Sequence, residues 1–64
     1  MSEAKLYGGY YFERNPITDF EKQELIDVSK ERAFLIAPNG HNFKAWIVEA
    51  ENLTYCNWSI EVTL

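Results

Sequence analysis

Residues 17–34 read ITDFEKQELIDVSKERAF, and the conformation of this stretch decides the fold class. Its beginning predicts a helix, because Thr18 and Glu21 have the spacing of a capping box. In that motif each of the two side chains accepts a hydrogen bond from the backbone N–H of the other residue. Acidic side chains in the first turn also suit the positive end of a helix dipole. We therefore predict a short helix near residues 18–24.

The apolar pattern of this stretch weakens after its first turns. On a single helix, one broad face would hold Ile17, Phe20, Leu25 and Val28, with glutamates among them. Ile26 would point the opposite way. A strand over 24–29 instead places Ile26 and Val28 on one side of the chain. The pattern favours a short helix followed by a strand, and one helix over 19–32 is the alternative.

The remaining segments have the composition of strands. Aromatic residues predict a first strand over residues 5–14, which Asn15-Pro16 ends. Residues 33–37, AFLIA, predict a short apolar strand. The following PNGH predicts a turn that leads into a strand over 42–49, so these two strands should form a hairpin. Residues 55–64 alternate between apolar and polar, as a half-buried antiparallel strand does.

These elements predict one domain over residues 1–64 that is mainly β. We expect a small antiparallel sheet or barrel of 4–5 strands, with the short helix near 18–24. If 19–32 is one helix, the fold becomes α+β in the order β-α-β-β-β. A chain of this size has a small core that contributes about 3–5 kcal/mol. Self-association would add stability, which leaves room for a homodimer.

Gly8-Gly9 lies inside the aromatic run KLYGGYYF, residues 5–12. Glycine within a strand is typical of a β-bulge or a sharp bend, and we expect one here. The alternative is that the missing side chains let the backbone of a partner approach closely. In that case Tyr7, Tyr10 and Tyr11 would flank the contact, because tyrosine supplies large, rigid contact area.

Catalytic, metal and cofactor functions find little support in the residue inventory. There is one cysteine, Cys56, and one histidine, His41, and they do not form a cluster at zinc spacing. The strand prediction turns Cys56 inward and places His41 in a turn. Gly8-Gly9 lacks the context of a phosphate-binding loop. We therefore expect no enzyme activity, no metal and no cofactor.

The charge and hydropathy of the sequence limit the expected cellular location and the expected classes of binding partner. The net charge of −4 opposes binding to a phosphate backbone, which needs clustered Lys and Arg. No signal peptide and no membrane-spanning run is visible in the sequence. We expect a cytoplasmic protein that binds neither membrane nor, in the favoured interpretation, nucleic acid.

The favoured function is non-catalytic protein binding by a small acidic inhibitor or regulator. Such proteins are often encoded by bacteriophages or mobile elements, which would place this one in the host cytoplasm. The predicted contact residues are aromatic anchors with a charged rim: Tyr7, Tyr10, Tyr11, Trp46, Tyr55, Lys44, Glu49 and Glu51. The partner would be a protein with a basic surface. Whether Trp46 is exposed stays open in the sequence.

Two other functions remain as alternatives. One is a small β-barrel that stacks single-stranded nucleic acid on its aromatic rings. The other is a structural protein that assembles with itself through an edge strand ending at residues 62–64.

Overall fold

The computed structural model describes residues 2–64, which form one helix and three strands. Their order is β1 (Glu3–Phe12), α1 (Asp19–Ile36), β2 (His41–Glu49) and β3 (Thr54–Thr63). The strands form one antiparallel sheet in the order β1-β3-β2. The fold is therefore α+β, in agreement with the alternative prediction. The prediction of four or five strands, or of a barrel, is wrong, since β1 and β2 end the sheet at two open edges.

Helix α1 is longer than either prediction allowed. It begins at the predicted capping box, where the Glu21 N–H donates to Thr18 Oγ1 over 3.1 Å and the Thr18 N–H donates to Glu21 Oε1 over 2.9 Å. It then continues through 24–29 and through 33–37 as far as Ile36, two segments that we expected to be strands. Those two strand predictions are wrong. Within residues 2–64, no helix has the length and apolar character needed to cross a bilayer.

A stripe of small and medium side chains seats α1 on the sheet. Leu25, Ser29 and Ala33 recur every four residues, and all three are buried. The Ser29 hydroxyl donates to the Leu25 carbonyl oxygen over 2.7 Å, so its burial leaves no polar group unpaired. Ser29 and Ala33 are small, so they let the helix lie close to β3, the strand it contacts most. Residues 33–37 thus form the last turn and the C-cap of α1, with Ala33 and Ala37 buried against the sheet.

Only the second strand of the predicted hairpin is correct, because its expected partner, residues 33–37, is not a strand. Residues 42–49 do form a strand, as part of β2. It pairs with β3, and the loop at residues 50–53 connects the two strands. The turn at 38–41 instead connects α1 to β2. Gly40 is required there, because a Cβ atom would lie 2.5 Å from Ile60 Cδ1 and 3.0 Å from the Ala37 carbonyl oxygen.

Strand β3 forms the centre of the sheet, and its predicted alternation is confirmed. Cys56, Trp58 and Ile60 point toward α1 and are at most 3% exposed. Phe43, Ala45 and Ile47 of β2 share that side. The predicted edge at residues 62–64 is wrong, because β3 has a neighbour on each side.

The two glycines of β1 serve packing, and the predicted bulge is wrong. The pairing of β1 with β3 runs without interruption from Glu3 opposite Thr63 to Phe12 opposite Thr54. The Trp58 ring covers Gly8 so closely that a Cβ atom would lie 2.3 Å from its Cζ2. The irregularity in the sheet lies instead in β2, between His41 and Lys44. Asn42 adopts a φ of 54° there.

Candidate protein-binding face

The sheet has two faces, and α1 covers only one of them. We call the other one the outer face. Antiparallel register places directly opposite residues on the same side of a sheet, so the outer face can be read from the pairing. It carries Tyr7, Gly9 and Tyr11 of β1, Lys44, Trp46 and Val48 of β2, and Tyr55, Asn57 and Ser59 of β3.

These side chains lie in three rows across the strands. The first row is Tyr11, Tyr55 and Val48. The second is Gly9, Asn57 and Trp46, and the third is Tyr7, Ser59 and Lys44. Neighbouring strands are about 4.8 Å apart, so Tyr11 and Tyr55 are direct neighbours in the first row. The second and third rows each hold one ring, Trp46 on β2 and Tyr7 on β1.

The aromatic side chains of the outer face are open to solvent. Tyr7 is 69% exposed, Tyr11 is 60% exposed and Trp46 is 44% exposed. Trp46 is therefore accessible, which answers the question that the sequence left open. Tyr55 and Val48 are half-buried between their neighbours. Together these residues form an apolar surface on a rigid sheet.

The outer face changes from aromatic to charged along the strands. Beyond the third row, Lys5 of β1 lies opposite Glu61 of β3, and Glu61 lies opposite His41 of β2. His41 Nε2 lies 4.0 Å from Glu3 Oε1 at the same end. The opposite end of the sheet has the exposed residues Glu13 and Glu51 just beyond the aromatic rows. Both ends of the apolar surface thus carry charges.

The structure brings together five of the eight predicted contact residues. Those on the outer face are Tyr7, Tyr11, Lys44, Trp46 and Tyr55. Glu51 lies in the loop between β2 and β3 and is exposed. Tyr10 and Glu49 lie on the helix side, because consecutive residues of a strand alternate between faces.

Those last two residues have partners on α1. The Arg32 guanidinium donates to the Tyr10 hydroxyl over 3.0 Å, and it lies 5.9 Å from the centre of the Tyr10 ring. Glu49 Oε1 lies 3.4 Å from Lys22 Nζ. Tyr10 and Tyr11 were predicted to share one contact surface, but the alternation of a strand places them on opposite faces of the sheet.

The predicted contact residues did not include Asn57 and Val48, which the structure places on the outer face. Asn57 lies at the centre of the second row, where its Oδ1 would be 3.1 Å from a Cβ atom on Gly9. Gly9 thus leaves room for the Asn57 side chain. The alternation of β3 placed Asn57 opposite Trp58, but only the register with β1 and β2 shows that it lies between Gly9 and Trp46.

The residues with reactive side chains do not converge. Cys56 is buried on the helix side of β3, whereas His41 begins β2 at the charged end of the sheet. Over residues 2–64, no three His, Cys, Asp or Glu side chains are arranged to hold a metal ion. Comparison of the chain with protein-family models, curated proteins and solved structures gave no match. The function is therefore inferred from the geometry of the outer face.

Proposed function

We propose that this chain is a non-catalytic protein-binding module whose contact surface is the outer face. One observation carries the proposal: Tyr7, Tyr11 and Trp46 are exposed together on the face that α1 leaves open. Single exposed rings are common, but several large aromatic side chains exposed on one face of a small protein favour an interaction site. Tyrosine and tryptophan are also the residues most enriched at the energetic centres of interfaces.

The support beneath these rings favours tight binding. They project from a paired antiparallel sheet, so little backbone freedom is lost when a partner docks. Aromatic side chains have few rotatable bonds and therefore lose little entropy in a complex. Lys44 and Asn57, at the edge and centre of the rows, add polar groups that can fix the orientation of the partner.

The charge of the chain indicates the chemistry of the partner. The net charge is −4, and Glu13 and Glu51 are exposed beyond the aromatic end of the outer face. Acidic groups around an apolar contact increase the rate of association with a basic surface. We therefore propose that the partner is a larger protein with a basic surface, which this chain inhibits or regulates by covering it.

Affinity capture from host lysate tests this proposal. The tagged protein is compared with Trp46→Ala and with Phe20→Ala, the latter a matched control that removes a 75% exposed ring from α1. Washing at about 0.15 M and then 0.5 M salt separates apolar from purely electrostatic contacts. We expect a stoichiometric protein that remains at high salt, that Phe20→Ala retains and that Trp46→Ala loses by about tenfold or more.

Two outcomes would contradict the proposal. Equal retention by Trp46→Ala and the unaltered protein would show that the outer face is not the contact. Capture of nuclease-sensitive nucleic acid, lost at high salt, would instead identify the chain as a single-strand binder.

A further inference from the structure

Strand β1 forms one edge of the sheet and is open along its length. It pairs with β3 on one side, and no strand within residues 2–64 lies on its other side. Its ten residues contain no proline and no bulge, whereas an irregularity at Asn42 interrupts the edge formed by β2. A long regular edge presents unpaired backbone groups that can accept another strand.

We propose that β1 pairs antiparallel with β1 of a second copy of this chain, around a twofold axis at Gly9. The two sheets of three strands would then join into one sheet of six strands. This inference goes beyond the proposed function, because it concerns the edge of the sheet and not its outer face.

The sequence of β1 is self-complementary in this register. An axis at Gly9 places Lys5 of each copy opposite Glu13 of the other, the residue that directly follows β1, so opposite charges face each other at both ends of the paired strands. It also places Tyr7 opposite Tyr11, and Leu6 opposite Phe12. Aromatic pairs and opposite charges are the cross-strand pairs that stabilise antiparallel sheets.

Neighbouring registers lose this complementarity. An axis at Gly8 would place Glu3 opposite Glu13, which is a repulsive pair. An axis at Tyr7 would place Lys5 opposite Gly9 and leave its charge without a partner. Of these three registers, the Gly9 register is the one that places opposite charges face to face. This charge complementarity of β1 with itself favours a second copy as the occupant of the edge.

The groove between β1 and α1 supports the same pairing. A cavity of about 220 Å³ lies where α1 meets Tyr10 of β1, and its other lining residues, Val28, Glu31, Arg32 and Leu35, are on the helix. Leu35 is 73% exposed and Val28 is 39% exposed, which is unusual for large apolar side chains on a helix that already packs against a sheet. In the joined sheet the two β3 strands lie three strand spacings apart, roughly 14 Å. The pairing would therefore bring the second copy beside Tyr10, at the β1 side of the groove.

Sedimentation equilibrium over a range of protein concentrations tests the pairing through its charges. We expect a reversible dimer for the unaltered chain. Lys5→Glu and Glu13→Lys should each weaken it by about tenfold, because each change makes two attractive pairs repulsive. An equimolar mixture of the two variants should dimerise again, since each copy then faces opposite charges. Lys30→Glu, on the exposed side of α1, is the control for the change in net charge.

Three results would overturn the proposal. They are a monomer at every concentration, single variants that dimerise as well as the unaltered chain, and a mixture that does not recover. Lys5 also faces Glu61 within its own sheet, so circular dichroism must show that Lys5→Glu is folded. Glu13→Lys lies after the end of β1 and tests the dimer even if Lys5→Glu does not fold. Trp46→Ala should leave sedimentation unchanged, which separates this proposal from the failure of the proposed function.

Discussion

The two faces of the sheet use the same alternating strands for different purposes. Trp58 points toward α1, lies over Gly8 and is 3% exposed. Trp46, on the neighbouring strand, points the other way and is 44% exposed. A strand sends successive side chains to opposite faces, so one short sheet can supply both a core and a binding surface. Over residues 2–64 one helix covers one face of the sheet, so the aromatic rings of the other face stay accessible.

Replacing each tryptophan by alanine gives the largest contrast between the faces. Trp58→Ala should cost about 3–5 kcal/mol, because it removes the largest ring of the core. That loss is comparable with the whole stability of a domain this small, so the variant should be largely unfolded. Trp46→Ala should cost less than about 1 kcal/mol. Urea unfolding followed by circular dichroism measures both. Similar losses for the two variants would show that both faces are core.

Replacing each glycine of β1 by alanine tests the same contrast at adjacent positions. Gly8→Ala should cost about 1–3 kcal/mol, because its Cβ atom would lie 2.3 Å from the packed Trp58 ring. Gly9→Ala should cost less, because its Cβ atom would lie 3.1 Å from Asn57 Oδ1 on the outer face, where that side chain can move. Thermal unfolding of both variants checks the order. A larger cost at Gly9 would mean that the outer face is the more tightly packed side.

Helix α1 covers the inner face of the sheet, and the N-terminal cap of this helix contributes to its stability. Thr18→Ala removes the side chain that accepts the Glu21 N–H, and it should cost about 1 kcal/mol. Thr18→Ser keeps the hydroxyl and is the matched control. Chemical unfolding measures the difference between the two. If Thr18→Ala had no effect, the capping box would not contribute to holding the helix on the sheet.

The same cap makes stability depend on pH. The backbone N–H of Thr18 donates to the Glu21 carboxylate and, with the Thr18 hydroxyl and Arg14, holds the pKa of Glu21 below its usual value. A carboxyl whose pKa is lower in the folded state stabilises the fold above its unfolded pKa, about 4.3 for glutamate. This stabilisation is lost as the pH falls through the lower folded value.

The free energy of unfolding, measured at several pH values between about 7 and 3, checks this dependence, because that range includes the usual pKa of glutamate. Glu21→Gln should be less stable than the unaltered protein at neutral pH, and the difference should shrink on acidification. A difference that stayed constant with pH would show that the charge of Glu21 has no part in the cap.

The sequence predicted those features that local patterns encode. The alternation of residues 55–64 identified the strand and its buried side, and Thr18 with Glu21 located the start of the helix. The pattern could not identify residues 33–37 correctly, because a short apolar run fits a strand as well as a helix end. In the structure Ala33 and Ala37 are buried while Leu35 and Ile36 are exposed. Only the packing of α1 on the sheet shows this division.

The order of the strands and the composition of the outer face depend on contacts between distant residues. Nothing local to β3 shows that it pairs with both β1 and β2, which is why its end was predicted to lie at an edge. The same limit explains the outer face. Alternation alone separates Tyr10 from Tyr11, but placing Asn57 between Gly9 and Trp46 requires the register of all three strands.

Quenching of tryptophan fluorescence by acrylamide tests the difference between the two faces most directly. Trp58→Phe leaves Trp46 as the single fluorophore, and Trp46→Phe leaves Trp58, because the chain has two tryptophans. With both variants folded, acrylamide should quench Trp46 strongly and Trp58 weakly. If Trp46 were as protected as Trp58, the outer face would not be open in solution, and the proposed binding surface would be contradicted.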